Sequence, residues 1–387
     1  MRVAIAGDFP EEPGRIVGGI QAVIYYTLLG LADYPNLDIH VVSCEKWGQA
    51  GQSGPFSRPG PHWQAHYLPS PQGIPHTLSM LTIDRRRLAQ AIRALKPDLV
   101  HAHGQAAAYP WAAFDSGRPT VVTAHGLNSL EAQVDQRGGW LRGRLRALLW
   151  RQVEQSCLRR AADVVVISPF VADTIRPWTR ARLHPIENPV DPTLFDLDRQ
   201  AGIPGRLLYV GSIQKRKGLA DLLQALAHLP AAHLVVAGGF SQPYADYGRR
   251  IRQLVAELHL EERVHFLGHL DRASLQQEYR QCAVFCLPSY LEASPVVVAE
   301  AMAAGCPIVT TAIASTAHLI EDGQTGYRVP AGNPLALAAR VEQLLSNPAE
   351  AQAMGDAARR VALRRFTPTQ AAAATHELYQ QMMNDEW

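Results

Sequence analysis

The chain has 387 residues, of which 47% are hydrophobic and 19% charged, and its formal net charge is +2. That length predicts two domains, and the composition excludes a disordered or collagen-like chain. The near balance of 37 basic and 35 acidic residues excludes a nucleic-acid coat.

Residues 2–6, 39–43, 98–102, 119–123 and 163–167 read as short apolar strands, with helical stretches between them at about 19–33, 84–95 and 140–160. The segment ENPVDPTLFDLDRQAGIPGR (187–206) breaks the rhythm with prolines and glycines and marks a domain boundary. After residue 205 the rhythm restarts with RLLYVG, HLVVAGG, RVHFLG, AVFCLP and PIVTT. Continuous apolar strands separated by helices predict a parallel sheet covered on both faces. The pattern occurs twice, so the expected fold class is α/β, with two Rossmann-like doubly wound domains facing across a cleft. The domains are expected at 1–195 and 203–365.

The five cysteines (Cys44, Cys157, Cys282, Cys286, Cys306) are odd in number and hold no CxxC pair, which argues against a disulfide framework and a structural zinc site. The opening MRVAIAGDF reads as a strand rather than a signal peptide. No apolar run reaches the roughly 18 residues that a membrane span needs. A reduced, cytoplasmic protein is expected.

Early in the chain, GRIVGGIQAVIYYTLLGL (14–31) places Gly18 and Gly19 before a helix that packs through Ile20, Val23, Ile24 and Thr27. Paired glycines after a first strand let the backbone approach a ligand, although a plain flexible turn reads the same way. No GxGxxG fingerprint follows, which counts against a nicotinamide enzyme. VHAHG carries His101 and His103, and VVTAHGLN carries His125 and Asn128. His101 and His103 alternate about Ala102 and share a face. With no carboxylate or cysteine near them in sequence, a satisfied core or cleft-edge role for His101 outweighs metal ligation. His125, followed by Gly126 at a strand end, is the candidate to point into the cleft.

Segment 137–182 holds ten arginines and three acids. Within it Trp140, Leu141, Leu145, Leu148, Leu149 and Trp150 recur at helical spacing. The plainer reading is a domain helix with solvated arginines; the sharper one is a contact with anionic lipid head groups.

Only four basic residues are lysines, at 46, 96, 215 and 217. Two of them sit in LLYVGSIQKRKGLADLLQAL (207–226), where Lys215, Arg216 and Lys217 follow a strand and precede Gly218 and a helix. Cations there suit a phosphate or diphosphate, against the alternative of a solvated turn. The Walker spacing is missing. In PSYLEASPVVVAEAMAAGCPIVTT (288–311), Ser294 is the expected N-cap, Pro295 the first helical residue, and Gly305 with Pro307 the stop, giving a helix at about 295–304. Its first N–H groups form an anion site. Glu292 stands just before that helix and Glu300 within it, and carboxylates accept hydrogen bonds from sugar or ribose hydroxyls. A turn carboxylate and a solvated helix face are the plainer alternatives.

Taken together, these segments resemble the retaining glycosyltransferases of the GT-B fold, specifically family four (group 1 glycosyltransferases), over nearly the whole chain. The most specific part is the E-x7-E spacing from Glu292 to Glu300 followed by AMAAGCP; ENPVDPTLF and VGSIQKRKG add to it. The resemblance implies that Glu300 holds the ribose hydroxyls of a nucleotide-sugar and that Glu292 contacts the transferred sugar. It implies that the N–H groups of Val296 and Val297, with Gly18, Gly19 and Ser294, face the diphosphate. Lys217 would neutralise the leaving diphosphate, helped by Arg216, and Leu267, in the loop Phe266–Leu270, would line the nucleobase pocket. His103, His125 and Asn128 are the implied acceptor side, with His125, Lys217 and Glu292 at the chemistry. The implied donor is a nucleoside diphosphate sugar (UDP or GDP), used without cofactor or metal. The implied acceptor is a hydroxyl on a glycan, glycolipid or small molecule, with no nucleic-acid partner. Residues 366–387 look like a final helix crossing back to the first domain. Peripheral attachment at the inner face of the membrane, through 137–160, goes with an acidic or lipid-linked acceptor.

Two positions depart from the family pattern. Ser212 stands where an arginine usually follows the glycine, and His318 stands where many members carry an acid. Two competing readings are a nucleotide-binding oxidoreductase and a catalytically inactive GT-B binding protein. The Gly/Pro/Ser-rich stretch 44–80, with Trp47 and Trp63, is expected to be an irregular acceptor loop.

Overall fold

The computed structural model describes residues 1–11, 16, 18–44, 56–60, 62–69, 82–106, 108–135, 139–199, 202–240 and 245–384. It divides into two compact units. One comprises Met1–Ser129, Arg146–Pro189 and Pro368–Trp387; the other comprises Leu130–Leu145 and Val190–Thr367. The second unit thus takes up the chain again at Val190, inside the segment 187–206, and Val190, Leu194, Phe195 and Leu197 are buried in its core. Leu130–Leu145, expected in the first domain, also counts with the second unit.

The strands of the first unit are β1 (Arg2–Ala6), β2 (Asp38–Cys44), β3 (Phe56–Pro59), β4 (Trp63–Leu68), β5 (Leu99–His103), β6 (Thr120–Ala124), β7 (Asp163–Val166) and β8 (Arg182–Pro185). They form one sheet in the order β3-β4-β2-β1-β5-β6-β7-β8. All pairs are parallel except β3 with β4. Strands β5 and β6 are buried along their whole length, the polar residues His101, His103, Thr120 and Thr123 included.

The stretch expected to be irregular between 44 and 80 contains β3 and β4. In β4, Trp63, Ala65 and Tyr67 point inward with period two. Trp63 packs edge-on against Phe9 and Tyr25, with ring centroids 6.3 and 6.0 Å away. It is therefore a core residue, and not the acceptor-loop residue expected; Trp47 lies outside the described residues. Edge strand β8 is polar and only half-buried, so no apolar run marks it. The fully buried carboxylate of Asp163 pins it, accepting from Arg182 at 2.9 and 3.0 Å and from His184 at 2.8 Å.

The helix Pro368–Asn384 packs on the helix Gly19–Leu31 within this unit, contributing Ala372, Leu378, Tyr379 and Met382 to its core. A side chain at Gly30 would place its Cβ 2.2 Å from the carbonyl oxygen of Pro368, so only glycine allows this approach.

The second unit contains β9 (Arg206–Val210), β10 (His233–Ala237), β11 (Val264–Gly268), β12 (Val284–Leu287), β13 (Ile308–Thr311) and β14 (Tyr327–Val329). All pairs are parallel, in the order β11-β10-β9-β12-β13-β14. The chain winds outward from β9 to β11, then returns to the other side of β9. The order therefore reverses between β9 and β12, and in the first unit between β1 and β5. In open α/β sheets the ligand crevice opens at such a reversal, beyond the carboxyl ends of the strands. All five cysteines are buried, and no disulfide joins them.

Candidate functional site

In the second unit, the two loops at the reversal meet. After β9 the chain forms a one-turn 3-10 helix, Lys215–Lys217, then passes through Gly218 into the helix Leu219–Ala227. Gly218 has φ 70°, and a Cβ there would lie 1.9 Å from the carbonyl oxygen of Pro288. Glycine is required on both counts. The close approach lets Tyr290 N–H donate to the carbonyl of Arg216 at 2.7 Å. Beside this bond, Lys217 Nζ lies 2.6 Å from Glu292 Oε1, and Arg216 Nη1 lies 3.5 Å from Oε2. Ser289 Oγ donates to Oε1 at 2.7 Å.

Glu292 is only 6% exposed. Burial by itself would raise its carboxyl. Lys217 first, then Arg216, outweigh that and hold it below the usual carboxylate range. Two cations thus flank Glu292 at the carboxyl ends of β9 and β12, and Arg216 Nη2 also lies 3.3 Å from Glu131 Oε1. Lys215 is exposed and stands apart from this group. Ser212, at the departure from the family pattern, is half-buried, and its carbonyl accepts from Tyr209 Oη at 3.3 Å.

The helix after β12 runs Val296–Ala303, starting one residue later than expected. Pro295 occupies the cap position in an extended conformation, with φ −72° and ψ 97°, and no side chain caps the helix. Ser294 is therefore not the N-cap: the late start puts proline, which has no hydroxyl to accept a first-turn N–H, in that place. The first-turn N–H groups, those of Val296 and Val297 among them, have no i−4 carbonyl within the helix. They carry the positive end of its dipole.

One turn further along, Glu300 is half-buried, and its Oε2 accepts from the hydroxyl of Tyr279 at 2.9 Å. Burial pushes its carboxyl up to about 7; the Tyr279 bond opposes this and nearby Asp191 adds to it. The two glutamates of the E-x7-E spacing are thus in different states: Glu292 is fixed as an anion and Glu300 titrates near neutrality. Leu267 is 41% exposed on β11, an unusual position for a large apolar side chain and one suited to covering a flat ligand face. Sequence reasoning missed Tyr279 and Ser289: Tyr279 lies outside the quoted motifs and reaches Glu300 only through the fold, and Ser289 lies within the segment 288–311, three residues before Glu292. His318 lines a cavity of about 360 Å3 with Glu321, Asp322 and Arg328, away from the residues above.

In the first unit, β5 ends at the order reversal with His103. Its Nδ1 is 2.8 Å from Nε2 of His125, which follows β6, and the two rings stack at 5.0 Å. His101 stacks on His103 at 4.5 Å, and its nitrogens meet Tyr379 Oη at 2.7 Å and Thr123 Oγ1 at 2.6 Å. Both nitrogens of His101 are thus satisfied in the core. Burial and mutual repulsion push His101 down to about 3 and His103 well below its ordinary value; burial takes His125 to about 4. All three rings are neutral at physiological pH. His103 is 5% exposed and lies behind His125, so it supports that ring rather than presenting a surface of its own. His125 is half-buried and Asn128, the first residue of the helix Asn128–Asp135, is exposed. Gly18 (φ 103°) precedes the helix Gly19–Leu31, and both glycines are exposed. Among the described residues, no group of three or more His, Cys, Asp or Glu side chains could hold a metal ion.

Known proteins match this arrangement. The model of the family "Glycosyl transferases group 1" matches residues 200–361, and that of "Glycosyltransferase Family 4" matches residues 17–194. The chain is 31% identical over 300 residues to the glycogen synthase of Mycobacterium tuberculosis, a match covering 74% of this chain and 69% of that protein. Among solved structures, a sucrose-phosphate synthase from Thermosynechococcus elongatus superposes with a TM-score of 0.80 at 25% identity, covering 98% of both chains. The Anabaena protein HepE, solved in complex with UDP-glucose, superposes with a TM-score of 0.74 at 20% identity, covering 98% of this chain and 100% of its own. These likenesses agree with the two doubly wound sheets and leave the oxidoreductase reading without support. The chain has the GT-B fold and belongs to the group 1 glycosyltransferases.

Proposed function

We propose that the chain transfers a sugar, with retention at the anomeric carbon, from a nucleoside diphosphate sugar to a hydroxyl of a glycan, glycolipid or small molecule. UDP is the proposed nucleotide; the UDP-glucose complex of HepE supports it over GDP. The observation that carries the reading is the contact of Lys217 with Glu292 at the strand-order reversal of the second unit. In the proposed step, the bond from the anomeric carbon to the diphosphate oxygen breaks as the bond to the acceptor oxygen forms. The acceptor proton passes to the departing phosphate. Negative charge that builds on the diphosphate meets Lys217, Arg216 and the N–H groups of Val296 and Val297. Protein cations supply this charge, so the proposal includes no metal and no cofactor. Glu292, fixed as an anion, accepts from hydroxyls of the transferred sugar, and Glu300 accepts from the ribose. Leu267 covers the nucleobase. The first unit supplies the acceptor contacts His125 and Asn128, with His125 acting as a neutral hydrogen-bonding group.

We also propose that the helix Trp140–Arg160 rests on an anionic lipid surface. Its large apolar side chains face outward: Trp140, Leu141, Leu145, Leu148 and Leu149 are 56–72% exposed, whereas its buried face is built from residues such as Ala147, Cys157 and Leu158. Exposed Arg142, Arg144 and Arg151 flank the stripe, and Arg144 lies over the Trp140 ring at 4.7 Å. An apolar stripe edged with arginines matches the interface of an anionic bilayer. No described helix is long and apolar enough to cross a membrane, so the proposed attachment is peripheral.

Release of UDP or GDP from a panel of nucleotide-sugars, with and without acceptors, tests the reaction. Transfer from a UDP-sugar is expected, and Lys217→Ala is expected to lower turnover by at least about 100-fold. Full activity of that variant removes the role assigned to Lys217. Glu300 accepts more strongly from the ribose when it is ionised, and burial raises its carboxyl to about 7. UDP affinity measured by calorimetry is therefore expected to rise with pH through about 7 more steeply in the native protein than in Glu300→Gln. Parallel pH profiles contradict the assignment. Co-sedimentation with phosphatidylglycerol vesicles, but not with phosphatidylcholine vesicles, is expected. Loss of pelleting in a Leu145→Glu, Leu148→Glu, Leu149→Glu variant supports the surface, and undiminished pelleting contradicts it.

A further inference from the structure

Tyr279 is completely buried, so its hydroxyl needs a partner inside the protein. Its hydroxyl lies 2.9 Å from Glu300 Oε2 and 3.4 Å from the carbonyl of Val297. The rest of the residue is fixed on every side. Its carbonyl accepts from the thiols of Cys282 and Cys306 at 3.5 and 3.3 Å, and its ring packs against Phe285 with centroids 6.0 Å apart. The helix that carries it, Arg272–Gln281, is tied at its other end to the turn Pro192–Asp196. There Arg272 pairs with Asp191, and Gln276 donates to Asp191 Oδ2 at 3.3 Å.

We infer that Tyr279 is a positioning residue for nucleotide recognition: its hydroxyl holds Oε2 of Glu300 and thereby aims Oε1 at the paired hydroxyls of a ribose. The inference rests on the reading of Glu300 as the ribose contact. The chemistry favours a vicinal diol over other ligands. A carboxylate with one oxygen already occupied by a neutral donor keeps one oxygen for two further donors, and a ribose offers two adjacent O–H groups. A glutamate on an exposed helix face would instead sample several rotamers and would lose side-chain entropy on binding. Here that ordering is already complete in the free protein. Tyr279 does not touch the sugar being transferred, so its effect falls on binding of the nucleotide rather than on the chemical step.

Calorimetry with UDP and 2′,3′-dideoxy-UDP on the full chain tests this. The native protein is expected to prefer UDP by about tenfold or more, since the dideoxy compound lacks both hydroxyls that would donate to the carboxylate. Tyr279→Phe removes one oxygen and keeps the ring. It is expected to weaken UDP by about tenfold, to leave dideoxy-UDP unchanged, and so to bring the ratio close to one. In turnover, KM for the donor rises while kcat holds. A native ratio near one removes the ribose reading itself. A native preference that survives intact in Tyr279→Phe overturns the role of Tyr279 alone. Replacing Tyr279 with 3-fluorotyrosine keeps the fold and strengthens the O–H donor; a larger preference for UDP is expected, and an unchanged one overturns the proposal.

Discussion

Glu292 is almost closed to solvent and yet stays ionised, because Lys217 lies 2.6 Å from one carboxylate oxygen and Arg216 3.5 Å from the other. Removing one partner of such a buried pair typically costs about 3–5 kcal/mol, so the loops that carry these residues cannot drift apart cheaply. The arrangement depends on the sheet. Strands β9 and β12 are neighbours only because the chain returns across its own starting strand, and this brings together loops 75 residues apart in sequence. It also depends on Gly218, whose left-handed backbone and absent side chain allow contact with Pro288. The Lys217 ammonium and the Arg216 guanidinium, the latter shared with Glu131, stand in the same unit as the first-turn N–H groups of the helix Val296–Ala303. Both features favour an anion, and they come from different strands, so the preference is a property of the fold and not of one loop.

Much of this was legible in the sequence. The continuous apolar strands, the restart after residue 205 and the E-x7-E spacing identified two parallel sheets and the residues at their carboxyl ends. What escaped has physical causes. Strand β4 alternates inside a Gly/Pro/Ser-rich stretch, and β8 is a polar edge strand held by one buried aspartate, so neither carries the signal of a buried strand. Ser294 satisfied the usual rule for an N-cap, but the helix began one residue later and left proline in that position. The hydroxyl of Tyr279 gave no sign of its partner, because the contact with Glu300 spans two elements. Charge state was equally hidden: two glutamates eight residues apart look alike in the sequence, and what separates them is that Lys217 and Arg216 offset the burial of Glu292 while burial dominates at Glu300.

The first unit shows the same contrast between motif and environment. Three histidines in two short motifs invite a metal or an acid–base pair. In the fold they stack, bond to one another, to Tyr379 and to Thr123, and lose their charge to burial. A neutral column of this kind suits the recognition of hydroxyls better than proton transfer. The helix Trp140–Arg160 departs from the usual rule in another way, since Trp140, Leu141, Leu145, Leu148 and Leu149 are exposed while Leu158 is buried. A packed core did not need them on that face.

The account stands on the diphosphate lying between the Lys217 ammonium and the first turn of the helix Val296–Ala303. A crystal structure of the full chain with UDP measures this directly. The account predicts phosphate oxygens within hydrogen-bond distance of Lys217 Nζ and of the N–H groups of Val296 and Val297, with the ribose hydroxyls on Glu300. A nucleotide bound with its phosphates remote from Lys217, at any other place on the chain, would contradict it.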